Sequence, residues 1–101
     1  MSLLSLNCSD NRLNELDLRS CGQLEELDCS SNQLSSLEIG KNLQLAFINC
    51  SGNSIKKLNL THHYKINQLL CQDNSMEEIR LPDKVDIDLY CVCCDPDVKI
   101  L

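Results

Sequence analysis

The chain is poor in the side chains from which binding sites and linkers are usually built. Among its 101 residues there is no Trp, and the aromatic side chains are those of Phe47, Tyr64 and Tyr90. Three Gly and two Pro argue against a linker or a disordered segment. The chain is long enough for one domain with a thin core, and that core must be aliphatic.

Basic residues are scarce as well. Nine Lys and Arg stand against fifteen Asp and Glu, which gives a net charge of −6. Nucleic acid is therefore not an expected partner, because phosphate binding requires a basic face. There is no apolar run long enough to span a membrane and no recognisable signal peptide, so membrane insertion is not expected and the compartment stays open.

What the sequence does contain is an internal repeat. Four copies of 21 residues align without a gap at 3–23, 24–44, 45–65 and 66–86, and a degraded fifth copy covers 87–101. Seven columns recur at this spacing, six of them apolar or Cys and one Asn. Their members in the first copy are Leu3, Leu6, Cys8, Asn11, Leu13, Leu16 and Leu18. The whole chain is therefore predicted to be a single repeat domain.

Each copy begins with the alternation typical of a strand. Leu6, Asn7 and Cys8 alternate between inward and outward positions, which is the side-chain period of β-structure. Stacked copies place equivalent strands side by side in a parallel sheet and bury each apolar column against the next copy. Asn11 follows the strand and suits a tight turn, because Asn tolerates left-handed backbone and can satisfy buried backbone groups.

The second half of each copy predicts another wall. Leu16 and Leu18 have the spacing of a second short strand, and the few residues between the halves leave no room for a helix of normal length. We therefore predict a flattened solenoid of about five coils, with a parallel sheet, a second wall of short strands and little or no α-helix.

The repeat resembles a known family. Each copy contains L-x-x-L-x-C-x-x-N-x-L, followed by an L-x-x-L-x-L half that echoes it. This pattern is similar to the leucine-rich repeats, and in particular to their short 21-residue class in bacterial surface proteins. The resemblance covers essentially the whole chain. It implies a right-handed solenoid, a bacterial origin, a cell-surface or secreted location, and a non-catalytic role in binding a protein or peptide.

Half of the eight cysteines belong to the repeat. Cys8, Cys29, Cys50 and Cys71 share one inward column, where a free Cys acts as a small hydrophobe. Parallel side-chain directions on neighbouring strands fit disulfide geometry poorly. We therefore expect a ladder of core thiols, with disulfides or a metal as the alternatives.

The C-terminal cysteines are a different case. Cys91-x-x-Cys94 has the spacing of half a zinc site, but no second pair follows. If the 21-residue register holds, Val92 points inward while Cys91 and Cys93 point outward, and a slip of one residue would reverse this. Cys91, Cys93 and Cys94 are thus candidates for zinc, for a redox pair or disulfide, or for incidental thiols. No cofactor is expected.

Catalytic residues are not evident. A nucleophile needs a base held nearby by a third group, and the two histidines, His62 and His63, are adjacent in a predicted loop. We expect them to be solvated loop residues, and we expect the chain not to be an enzyme.

The outward positions of the first sheet form the candidate binding surface, because the repeat framework does not need them. Phe47 and Leu70 would form an apolar patch beside acidic residues, which suits a protein or peptide partner. The candidate residues are Glu26, Asp28, Phe47, Asn49, Gln68, Leu70 and Leu89. The alternatives are a structural spacer in a larger repeat protein and a small metal or redox site.

The first copy lacks a cap, so end-to-end self-association there is a further expectation.

Overall fold

Eight short strands are found in the computed structural model, which describes residues 3–83, 92–93 and 98–101. They are β1 (Ser5–Asn7), β2 (Glu26–Asp28), β3 (Phe47–Asn49), β4 (Lys57–Asn59), β5 (Gln68–Leu70), β6 (Glu78–Arg80), β7 (Val92–Cys93) and β8 (Lys99–Ile100). These ranges contain no helix, and so none that could cross a membrane.

The strands form two parallel sheets, one on each wall of a solenoid. The first wall has the order β1-β2-β3-β5-β7, and the second wall has the order β4-β6-β8. Leu6, Leu27, Ile48 and Leu69 lie side by side on the first wall, and the last three are fully buried. The predicted two-walled solenoid without helices is confirmed.

The second wall begins later than predicted. β4 and β6 contain the predicted Leu58 and Ile79 but end one residue before Leu60 and Leu81, and residues 15–18 and 36–39 form no strand. A cleft of about 890 Å³ lies between the first two coils on this wall. The prediction of a strand at Leu16 and Leu18 is therefore wrong for the first two coils.

Charge distinguishes the paired coils of this wall from the first two. On the second wall Lys57 pairs with Glu78, and Glu78 pairs with Lys99, so charges of opposite sign alternate across the strands. The same spacing would place Asp17 opposite Glu38 in the first two coils. Directly opposed like charges destabilise strand pairing, and Asp is a poor strand former, so a strand pair between the first two coils is disfavoured.

The asparagine column ties neighbouring coils together. The Nδ2 of Asn53 donates to the carbonyls of Cys50 (3.0 Å), Ser51 (3.2 Å) and, in the preceding coil, Cys29 (3.1 Å). Its Oδ1 accepts the N–H of Leu34 at 3.0 Å. Asn32 and Asn74 repeat the cross-coil bonds, so each of these three asparagines satisfies backbone groups of two coils.

In this turn, the residue with left-handed backbone is the one directly before the asparagine. Positive φ angles are found at Asp10 (57°), Ser31 (55°), Gly52 (67°) and Asp73 (57°). Asp and Gly tolerate this region better than most residues. The expectation that the asparagine itself would be left-handed is therefore wrong, because its role is to bond the backbone around the bend.

The predicted ladder of core thiols is present. Cys29, Cys50 and Cys71 are completely buried in the apolar core, and Cys8 lies partly buried at the end of the column. Cys8, Cys29 and Cys50 are free thiols. Burial raises the pKa of Cys29 to about 12 and that of Cys50 well above its ordinary value, so these thiols stay neutral and act as hydrophobes.

The last strand of the first wall breaks the 21-residue register. Val92 pairs with Leu69 and Cys93 pairs with Leu70, so this coil is two residues longer between strands than the coils before it. The strict register is wrong here, and Cys93 shares a row with Leu70 instead of Gln72. On the second wall Ile100 still pairs with Ile79 at the regular spacing. Leu89, Cys91 and Cys94 lie outside the described residues.

Candidate functional site

The first wall presents two outward rows of side chains. The first and third residues of each three-residue strand point away from the core, and the strands pair without a slip from β1 to β5. One row contains Ser5, Glu26, Phe47 and Gln68, and the other contains Asn7, Asp28, Asn49 and Leu70. Six of the seven predicted surface residues thus lie in adjacent positions, and the seventh, Leu89, lies outside the described residues.

The second row is polar and internally bonded in the first three coils. The Oδ1 of Asp28 accepts the backbone N–H (3.1 Å) and the hydroxyl (2.6 Å) of Ser30. Asn7 with Ser9, and Asn49 with Ser51, repeat this arrangement. This function of the row was not predicted from the repeat pattern, although the recurrence of Asn or Asp two residues before Ser is its signal.

The fourth coil departs from that arrangement. Leu70 and Gln72 stand where the earlier coils have Asn or Asp and Ser. Leu70 is partly exposed, and one strand away Phe47 is partly exposed in the other row. The two apolar side chains therefore lie diagonally on neighbouring strands, where the polar row ends.

A hollow lies beside Phe47 at the edge where the chain enters the strands. Its volume is about 420 Å³, and it is lined by Glu25, Glu26, Ala46, Phe47, Asn67 and Gln68. Ala46 and Asn67 are not among the surface residues predicted from the sequence. The signal for the hollow is that Ala46 is the smallest member of its column, which otherwise holds Leu4, Glu25 and Asn67.

A repeated bend before each strand explains why two adjacent residues of each coil line the hollow. The carbonyl of Glu25 accepts the N–H groups of both Ala46 (2.9 Å) and Phe47 (3.2 Å). The carbonyl of Ala46 accepts those of Asn67 (2.9 Å) and Gln68 (3.2 Å) in the same way. Two successive N–H groups directed at one acceptor interrupt the regular alternation of a strand.

The hollow is acidic on one side. Glu25 and Glu26 are exposed, and the ion pairs found among the described residues, Arg19–Asp17 and Arg80–Glu78, include neither of them. No basic side chain lines the hollow. A positively charged group could therefore approach these two carboxylates without displacing a partner from an ion pair.

His63 is not the solvated loop residue that the sequence predicts. It is only 2% exposed, and its Nε2 donates to the carbonyl of Ile39 at 2.9 Å, while its Nδ1 is buried without a partner. Asn42, in the same column, donates to the carbonyls of Leu18 and Cys21. The expectation was wrong because this column supplies a donor to the preceding coil. His62 is exposed, as predicted.

Metal-binding geometry does not appear in the described part of the chain, where no group of three His, Cys, Asp or Glu side chains could hold an ion. The proposed ligands Cys91 and Cys94 lie outside it, and of Cys93 only the backbone is described. The alternative of a C-terminal metal or redox site thus stays a prediction.

Comparisons with known proteins identify the fold. No protein-family model matches the chain, and no curated protein sequence matches it. Among solved structures, the functional domain of InlJ from Listeria monocytogenes, which includes a cysteine ladder, is similar with a TM-score of 0.73 and 25% identity. The match covers 97% of this chain and 26% of that one.

This likeness agrees with the residues described above. The chain is a leucine-rich-repeat solenoid with a cysteine ladder, as its sequence predicts, and a bacterial origin is consistent with the neighbour. The chain spans about a quarter of the neighbour's length, 26%. Membership of the 21-residue class stays a prediction.

Proposed function

We propose that this chain is a non-catalytic module that binds a protein or peptide on the outward face of its first wall. The observation that carries the proposal is the pair of partly exposed apolar side chains, Phe47 and Leu70, on neighbouring strands of that face. Acidic Glu26 and Asp28 lie on the adjoining strand. An apolar centre with a polar rim is the usual composition of a protein-binding patch.

The rigidity of the face supports the same proposal. Asn7, Asp28 and Asn49 are held by hydrogen bonds within their own coils, so these polar side chains have little freedom to lose. A surface that is ordered before binding avoids part of the entropic cost of association. A partner would contact a polar row that is already ordered and, where that row ends, the apolar side chains of Phe47 and Leu70.

The rival function is that of a structural spacer. A spacer needs only the stacking of one coil on the next and makes no use of outward side chains. Both functions are compatible with a bacterial surface or secreted repeat protein, which is the location that we propose. The two functions differ in whether binding of a partner depends on Phe47 and Leu70.

Selection of peptides on the immobilised chain, followed by calorimetric titration of the selected peptides, separates these functions. We expect the double variant Phe47→Ser/Leu70→Ser to bind them at least about tenfold more weakly, which corresponds to about 1.4 kcal/mol. The matched control is Leu43→Ser/Tyr64→Ser, which replaces two other exposed apolar side chains and should bind as the wild type does.

Thermal unfolding of all variants checks that the fold is kept. Selection that enriches no peptide, or peptides that bind the double variant as tightly as the wild type, would favour the spacer.

The first coil carries a second proposal, end-to-end association with another copy of the chain. β1 is an edge strand, and Leu3 and Leu4 are 45% and 50% exposed. An open strand edge beside exposed apolar side chains can pair with another chain. This self-association stays a prediction.

A further inference from the structure

We infer that the hollow beside Phe47 is a subsite for a cationic side chain of the partner, and specifically for an arginine. The inference rests on the proposed binding function and makes it more specific. It assigns a ligand group to Glu25, Glu26, Ala46 and Asn67, of which three lie outside the surface that the sequence pattern indicates.

The shape of the hollow comes from one small side chain. Ala46 lies between Glu25 of the preceding coil and Asn67 of the following coil. Its N–H donates to the carbonyl of Glu25, and its carbonyl accepts the N–H of Asn67. The larger side chains on both sides leave a concavity of about 420 Å³ above Ala46. This is room for a single long side chain together with water, and not for a folded element of a partner.

The charge of the hollow selects a cation. Glu25 and Glu26 are exposed on one side, where Glu26 also accepts a hydrogen bond of 3.4 Å from the Ser5 hydroxyl, and the uncharged amides of Asn67 and Gln68 line the other side. No basic side chain lines it. A guanidinium group offers five N–H donors in a plane and can bind carboxylates in pairs, whereas an ammonium group offers three donors around a point charge.

The aromatic ring of Phe47 favours arginine further. Phe47 is the single Phe of the chain and lines the same hollow as the two carboxylates. A planar guanidinium stacks on an aromatic face while its methylene groups contact apolar surface. A free divalent ion would gain nothing from the ring, and the described residues contain no group of three ligands for one.

The direct probe is N-acetyl-arginine methylamide, titrated into the isotope-labelled chain and followed by the backbone amide signals. We expect saturable shifts confined to the amides of residues 25–28, 46–47 and 67–68. The neutral isostere N-acetyl-citrulline methylamide should bind about tenfold more weakly, since it keeps the shape and loses the charge.

Two variants test the components of the subsite. Glu25→Gln/Glu26→Gln removes both charges, and Ala46→Leu fills the concavity, and each should weaken arginine binding about tenfold. The matched control, Glu15→Gln/Glu38→Gln, removes two exposed acids from the second wall and should leave binding unchanged. Equal shifts with arginine and citrulline, or shifts spread over all acidic residues, would overturn the inference, as would displacement of arginine by equimolar calcium chloride.

The outcomes separate this inference from the proposed function. Peptides that require Phe47 and Leu70 but contain no required arginine would leave the binding module standing and remove the subsite. Arginine binding that is lost in Ala46→Leu, combined with peptides indifferent to Phe47 and Leu70, would keep the subsite and refute the wider patch.

Discussion

The first coil and the interior coils have the same sequence pattern and differ in how far that pattern is buried. Leu27, Ile48 and Leu69 are fully buried, whereas Leu6, the equivalent residue in the first coil, is only partly buried. Cys8 differs from Cys50 in the same way. The apolar residues of a coil in this solenoid are therefore buried by the two neighbouring coils, and one coil cannot bury them alone.

The asparagine column shows the difference most directly. Asn11 is exposed and its Nδ2 donates to Cys8 and Ser9 of its own coil. Asn53 is 9% exposed and bonds both its own coil and the preceding one. The same residue type therefore closes a local turn in the first coil and joins two coils in the interior.

Replacing the two asparagines should give the largest contrast. Asn53→Ala leaves the Leu34 N–H and several buried carbonyls without a partner, and each lost bond of this kind costs about 1–3 kcal/mol. We expect Asn53→Ala to lower the free energy of unfolding by about 3 kcal/mol or more, and Asn11→Ala to lower it by less than about 1 kcal/mol. Urea unfolding measures both, and equal losses would contradict the account of the ladder.

The cysteine column should give a smaller contrast. Cys50→Ser places a hydroxyl in the apolar core without a hydrogen-bond partner, which should lower the free energy of unfolding by about 1–3 kcal/mol. Cys8→Ser should cost less than about 1 kcal/mol, because Cys8 lies at the partly exposed end. Cys50→Ala is the control, since it removes the sulfur without adding a polar group. If the serine variants were equally stable in urea, the interior thiols would not be acting as hydrophobes.

The burial of the repeated columns could be predicted from the sequence because it follows from two periods. One is the two-residue alternation of side chains along a strand, and the other is the 21-residue repeat. Alternation along the strand placed Leu27 and Cys29 in the core, and the repeat placed them beside Ile48 and Cys50. These positions depend on the local pattern and on one fixed spacing. No knowledge of loop geometry was needed for them.

The features that were missed depend on relations between coils. The unfavourable pairing of the first two coils on the second wall involves the charges of Asp17 and Glu38 taken together, since neither charge opposes pairing alone. The burial of His63 depends on a carbonyl of the preceding coil. The hollow above Ala46 has one signal in the sequence, the small side chain in its column, but it also requires the bend before the strands, which comes from backbone bonds between coils.

The smallest expected effect on stability concerns the column that holds His63, where the free energy of unfolding should depend on pH. Cys21 occupies this column in the first coil, while Asn42 and His63 in the next two donate to the preceding coil. Burial, then the neighbouring His62, lower the pKa of His63 below its ordinary value of 6.5, against the opposing hydrogen bond to Ile39. The unfolded chain therefore binds more protons at this residue than the folded chain does when the pH falls below about 6.5.

The sign of the expected pH dependence follows from that difference. The stability associated with neutral His63 is fully present above about pH 6.5 and decreases as the pH falls, with a slope of at most about 1.4 kcal/mol per pH unit. His63→Asn is the matched variant, because Asn42 shows that an amide can supply the same donor from this column. Urea unfolding at pH 7.5 and pH 5.5 should give the wild type a larger loss than His63→Asn, since the carboxylates contribute equally to both. Identical losses in the two chains would mean that His63 accepts a proton without disturbing the coil, and that the interior column tolerates charge as readily as an end coil would.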